Sequence, residues 1–182
     1  MDLSIDGKDI GRLDFELFGQ SSPKTVNTFL GFVSGDYDPY MRYKGTYFTR
    51  IFEQRFMQGG DFISQDGKGS ATVYPGKERM RSERNKLKFS EPYLLAMASD
   101  SDGNTGSQFF ITLDDAPMLN DSSHTIIGRL KKGKEVLDIC VGMEQFRRDR
   151  PLLEYRIKNL PMSLGAAMVD EKTEAQLKAQ RL

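Results

Sequence analysis

Short apolar runs closed by clusters of turn-forming residues recur along this chain, and they constrain its fold more than any other feature. YLLAMAS and SQFFITL are separated by DSDGNTG, HTIIGRL follows another polar stretch, and EYRIKNL comes later. Runs this short, bounded by Gly, Asp, Asn and Ser, read as strands and turns. At the N-terminus, LSIDGKDIGRLDFELF predicts two strands around Asp6-Gly7, with Leu13, Phe15 and Leu17 on one side and Asp14 and Glu16 on the other. Helical spacing is clear in SSPKTVNTFLGFVSGD. There Ser22 is placed to cap, Pro23 suits the first turn, Val26, Phe29, Leu30 and Val33 share a face, and Gly35 stops the helix. A second, shorter helix is expected in KKGKEVLDICVGM, with Val136, Leu137, Ile139 and Cys140 available for burial. Many short strands with two helices specify a mainly β fold, an antiparallel barrel or sandwich.

The 182 residues suit one domain with a short appendage. With 26 basic and 26 acidic residues the net charge is zero, which leaves no electrostatic argument for nucleic acid. The basic segment ERMRSERNKLKF reads as a solvated loop. One cysteine, Cys140, excludes an internal disulfide and cannot by itself build a zinc site. No apolar run is long enough for a membrane span, and MDLSIDGKDIGRLDF lacks the basic and apolar regions of a signal peptide, so the expected location is cytoplasmic by absence of signals. DSDGNTG fails as a calcium loop, because the positions that need Gly and Glu hold Thr105 and Ile111. DGKGS fails as a phosphate loop, because Phe62 stands where its first glycine belongs. His124 is the sole histidine and no nucleophile elbow accompanies it, so a packed, hydrogen-bonded histidine is the better reading than a triad. No metal and no cofactor is expected.

One run does not fit a plain strand. YFTRIFEQRFMQGGDF is mostly aromatic and apolar, yet it carries Arg50 and Arg55. A charge within such a run is costly unless something requires it there.

GRLDFELF, SSPKTVNTF, YKGTYFTRIF, FMQGGDF, DGKGSATVY, LLAMAS, NTGSQFFITL and HTIIGRLKKGKEVLD occur in an order and spacing that resembles the cyclophilins, the peptidyl-prolyl isomerases that bind cyclosporin. GSQFFI and QGGDF are the most distinctive. The resemblance implies an eight-stranded antiparallel β-barrel capped by two α-helices over residues 1–160, with a C-terminal extension at 161–182 that is rich in helix formers. It also implies catalysis of X–Pro bond rotation, whose barrier of ~18–20 kcal/mol comes from amide resonance. No nucleophile is needed. The site must favour the twisted amide, and a guanidinium that hydrogen-bonds the prolyl nitrogen region does so.

Carried over by position, the resemblance makes Arg50 the catalytic cation, Gln58 its neighbour on the groove floor, and Phe110, Leu119 and His124 walls of the proline pocket. Phe56 and Met57 also belong to the substrate-binding set. Ala98 and Ser99 match the strip that pairs with substrate backbone, and the main chain of Ser99 can serve although the family usually has Asn there. Gln108 and Gly67 line a neighbouring shallow pocket, which Asp100 makes more acidic. Met118 stands where human-type members have the Trp that contacts cyclosporin, so weaker cyclosporin binding is expected.

Two registers remain open near Arg55. Counting from Arg50 without gaps puts Arg55 where the family has its pocket phenylalanine and Phe56 where it has methionine; the other register inserts a residue in FEQR and deletes one before Gln58. A one-residue slip in a strand reverses every side chain. The functional expectation is a peptidyl-prolyl isomerase acting on Xaa-Pro segments of protein clients. The rival is a catalytically weakened scaffold held in a larger assembly through residues 78–88 and 161–182.

Overall fold

The computed structural model describes residues 1–52, 55–74, 79–142 and 153–162. Strands β1 (Asp2–Ile5) and β2 (Lys8–Arg12) form the expected hairpin. Its turn residues, Asp6 and Gly7, both have positive φ, 47° and 82°, the combination that matches the twist of the flanking strands. The chain then continues through Leu13 into β3 (Asp14–Leu17). At Leu13 it crosses from one sheet to another, and the Leu13 N–H donates to the Met1 carbonyl at 2.8 Å.

The remaining strands are β4 (Phe48–Phe52), β5 (Phe56–Gly59), the short β6 (Met80–Arg81), β7 (Leu94–Ser99), β8 (Asn104–Thr112), β9 (Thr125–Lys132) and β10 (Tyr155–Asn159). One sheet has the order β10-β1-β2, the other β3-β9-β7-β8-β5-β4, with β6 paired to β8. Because β2 and β3 are consecutive segments of one bent strand, they join the sheets at one side. At the other, Tyr47 bridges to Arg156. There the Ile157 N–H also donates to the Thr46 carbonyl and the Gly45 N–H to the Ile157 carbonyl. The result is a barrel-like ring of antiparallel strands.

Helix α1 (Pro23–Ser34) and helix α2 (Lys134–Gly142) pack on it. Helix α1 ends at Gly35 in the left-handed conformation, as expected. Its start differs from expectation. Ser22 makes no side-chain cap; instead the Glu83 carboxylate accepts from the Thr25 N–H at 3.0 Å and from the Thr25 hydroxyl at 3.1 Å. The Ser22 hydroxyl is engaged by Asn85 Nδ2 at 2.7 Å. In α2, Val136, Leu137 and Cys140 are buried, whereas Ile139 is 40 % exposed and does not join the core as expected.

Alternation along the strands divides the apolar side chains between two clusters. Met57, Leu95, Met97, Phe109, Ile111 and Ile127 face the barrel interior with Phe29, Phe32 and Tyr43. Their immediate neighbours Leu94, Ala96, Phe110 and Ile126 face the other way and pack with Phe18, Phe89 and Ala116. The period of two therefore builds a second apolar layer on the barrel's outer face. That layer is the floor on which the site stands.

Candidate functional site

β4, β5 and β8 send side chains to this outer face, and a register shift between Met97 and Ser99 lets the end of β7 contribute two consecutive residues. Arg50 comes from β4, Phe56 and Gln58 from β5, Ala98 and Ser99 from β7 and Phe110 from β8. With Leu119 and His124 they line a cavity of about 230 Å³. Leu119 closes a single 3-10 turn, Pro117–Leu119, and His124 immediately precedes β9. A larger groove of about 400 Å³ lies between β3 and α1, but its walls are mainly apolar, with Phe15, Leu17, Leu30 and Val33 among them. The smaller cavity is the candidate site because it combines an apolar floor with convergent polar groups.

Phe110 is the centre of the floor. Its ring lies 5.9 Å from Phe56, 5.9 Å from Phe89 in a stacked arrangement, and 5.1 Å from His124 edge-on. The Arg50 guanidinium sits over the Phe56 ring, 5.4 Å from its centroid. Arg50 is also the cross-strand partner of Gln58. A planar cation of this kind lies favourably against an aromatic face.

His124 is held as a neutral acceptor. Its Nδ1 receives the Ser99 N–H at 3.0 Å, with the Ser99 hydroxyl also at 3.0 Å. An acceptor Nδ1 places the ring proton of the neutral tautomer on Nε2. Burial lowers the histidine pKa from its ordinary value. This side chain is therefore suited to pack against an apolar ring.

Arg50, Gln58, Phe110, His124, Phe56, Ala98, Ser99 and Leu119 are thus brought together. Three other expected residues are not at the cavity wall. Met57 is 0 % exposed in the barrel core, because it alternates with Phe56 and Gln58 and points inward. Met118 is 62 % exposed and turned to solvent by the short 3-10 turn. Gln108 lies behind Gln58, accepting from Gln58 Nε2 through its Oε1 at 2.7 Å. Ser99 also departs from expectation: its N–H is committed to His124, which leaves its carbonyl for a bound backbone. Asp100 accepts from the Asn104 N–H at 2.8 Å and lies 3.8 Å from Arg79, so its charge is already engaged.

The pairing of β4 with β5 decides which residues of this run meet the cavity. Phe52 pairs with Phe56 and Ile51 with Met57, which places Arg55 in the turn before β5. Arg55 is exposed, and its guanidinium lies over Phe52, 5.2 Å from the centroid. It does not enter the cavity. The two arginines of this run therefore have different surroundings.

Two contributions escaped the reading of the sequence. Phe89, which stacks beneath Phe110, ends the segment expected to be a solvated loop. Glu83 and Asn85 in the same segment tie it to α1, and Asn85 also reaches the Ile126 carbonyl at 2.7 Å. The only hint was an aromatic residue closing a basic stretch. The expected extension beyond residue 162 lies outside the described residues. Among the described residues, no group of His, Cys, Asp and Glu is arranged to hold a metal ion, and no helix is long and apolar enough to cross a membrane.

Comparison with known proteins agrees with this architecture. The family model described as cyclophilin type peptidyl-prolyl cis-trans isomerase/CLD matches residues 1–161. The chain is similar to peptidyl-prolyl cis-trans isomerase 9 of Caenorhabditis briggsae and of Caenorhabditis elegans, at 34 % identity over 165 residues in each case. Those alignments cover 87 % of this chain and 52 % of each relative, so the chain spans about half the length of the curated relatives it matches. Among solved structures it resembles the crystal structure of a Cryptosporidium parvum cyclophilin type peptidyl-prolyl cis-trans isomerase in the presence of the dipeptide Ala-Pro. The TM-score is 0.75 at 32 % identity, covering 90 % of this chain and 99 % of the other.

Proposed function

Because this chain belongs to the cyclophilin-type peptidyl-prolyl cis-trans isomerase family, we propose that it catalyses cis-trans isomerisation of Xaa-Pro bonds in the cavity around Phe110. The observation that carries this reading is one permanent cation, Arg50, held over the Phe56 ring at the rim of a pocket with an apolar floor. The proline ring rests on Phe110 between Phe56, Leu119 and His124. The carbonyl side of the bond turns toward solvent.

Rotation breaks the amide resonance and localises a lone pair on the prolyl nitrogen. A guanidinium donor stabilises that lone pair in the twisted state, while the planar amide offers none to accept the bond. The interaction is therefore stronger in the transition state than in either ground state, which is the condition for catalysis. His124 contributes a neutral, half-buried wall and no proton transfer. The ligand class is that of the Ala-Pro dipeptide present with the Cryptosporidium parvum enzyme.

The test is isomerisation of a proline-containing tetrapeptide by wild type and by Arg50→Ala. Removing one preorganised donor of this kind costs on the order of 100-fold in rate. Measurable wild-type turnover that falls by about that factor in Arg50→Ala, with the thermal midpoint little changed, supports the assignment. No turnover in either protein refutes it and leaves the scaffold reading.

A further inference from the structure

Asp61 follows the Gly59-Gly60 end of β5, outside the cavity, and is 0 % exposed. Its carboxylate is met by a shell of donors. Oδ1 accepts from the Ile63 N–H at 3.0 Å and the Ser64 N–H at 2.9 Å. Oδ2 accepts from the Ser64 hydroxyl at 2.9 Å, and from the N–H groups of Asp66, Gly67 and Gly69 at 3.2, 2.9 and 3.0 Å. Burial alone raises the pKa of this carboxyl, and the donors of Ser64, Gly69 and Gly67 more than reverse that, holding it at about 2. The loop wraps so closely that a Cβ on Gly69 would lie 2.2 Å from Oδ1.

The wrapped loop aims two carbonyls at one side chain. Gln108 Nε2 donates to the Gly67 carbonyl at 2.9 Å and to the Gly69 carbonyl at 2.8 Å, which uses both of its protons. Gln108 Oε1 must then face the other way, where it accepts from Gln58 Nε2 at 2.7 Å. With its nitrogen committed to Gln108, Gln58 turns its Oε1 away from Gln108. Reversing either amide would set donor against donor and acceptor against acceptor along the chain.

We propose that Asp61 is a positioning residue for the isomerase reaction: through the 61–69 loop and Gln108, it makes Gln58 present an acceptor oxygen beside Arg50. This rests on the isomerase reading above. An oxygen beside a guanidinium holds it in place. An NH₂ group in that position would repel the cation and leave it misaimed.

The test is Asp61→Asn, with Gln108→Glu as a second variant that breaks the relay without touching the loop's anchor. Asn keeps the shape of Asp but sets an NH₂ group among N–H donors. Both variants lower kcat by roughly tenfold, the scale of misplacing one catalytic group, with KM for the tetrapeptide changed less than twofold. The spectroscopic signature is the pair of side-chain ¹⁵N–¹H amide resonances of Gln108 and Gln58, assigned by Gln→Glu replacement. In wild type both lie apart from those of surface glutamines; in Asp61→Asn the Gln58 pair moves to the surface position.

Unchanged Gln58 resonances in folded Asp61→Asn overturn the proposal, as does unchanged kcat after they have moved. If Asp61→Asn does not fold, Gln108→Glu with unchanged kcat overturns it. If the wild type shows no turnover, the isomerase reading fails. The relay is then judged on the resonances alone: a Gln58 pair already at the surface position in wild type overturns it, and a displaced pair that moves in Asp61→Asn supports it.

Discussion

Phe56 and Met57 are adjacent, yet replacing each by alanine is expected to produce opposite phenotypes. Met57 is 0 % exposed, pairs in register with Ile51 on one side and Ile111 on the other, and belongs to the main core. Truncating a fully buried Met leaves a cavity and costs about 3 kcal/mol. For a domain of this size each kcal/mol is worth about 3 °C, so Met57→Ala lowers Tm by about 9 °C. Its folded fraction at low temperature retains wild-type kcat/KM. Phe56 is half-buried at the cavity wall, 5.9 Å from Phe110, beneath the Arg50 guanidinium at 5.4 Å.

Phe56→Ala removes the aromatic contacts with Phe52 and Phe110 and the cation–π contact with Arg50. The Phe110 and Arg50 contacts are the two at the cavity, each worth about 1 kcal/mol, so the expected loss there is about 2 kcal/mol, or about 30-fold in kcat/KM. The thermal midpoint falls by about 3 °C. The assays are thermal denaturation followed by circular dichroism and tetrapeptide isomerisation below 10 °C, where the background rotation is slow. A Phe56→Ala protein that melts like a core deletion, paired with a Met57→Ala protein that is stable and inactive, would show that β5 is slipped by one residue. That result would refute the site as drawn.

Glu83→Ala removes the acceptor that caps α1 from a distant loop, costing about 1 kcal/mol; Tm falls by about 3 °C, whereas Ser22→Ala, which removes no side-chain cap, leaves the helix start intact. His124, the only histidine, titrates below its ordinary value of 6.5, so its ring resonance in a proton NMR titration has its midpoint under that pH. The sign follows from the neutral form being the folded one. The contribution to stability is complete above 6.5 and is lost as pH falls toward the folded pKa, where a proton on Nδ1 would face the Ser99 N–H; a midpoint above 6.5 would contradict the neutral-wall role. With Met118 turned to solvent, cyclosporin inhibits weakly, and Met118→Trp strengthens inhibition without raising turnover of the tetrapeptide; nanomolar inhibition of the wild type would overturn this.

Local chemistry in the sequence determined much of this protein. Asp6-Gly7 specified its hairpin because that pair adopts positive φ cheaply, and Gly35 specified the end of α1 for the same reason. Short apolar runs bounded by turn residues, LLAMAS and SQFFITL among them, specified strands, and the ordered motifs placed Arg50, Gln58, Phe110 and His124 in one family pattern. Tertiary structure decided what alternation alone leaves ambiguous. A strand pattern says that Phe56 and Met57 face opposite ways, but pairing with β4 and β8 chooses which of them meets the core. Arg55 is excluded from the cavity by the same pairing. Glu83 caps a helix 58 residues away, and Gln108 reaches Gln58 across 50 residues. Contacts of that span depend on how strands are ordered in the barrel, and no local preference of the residues involved encodes them.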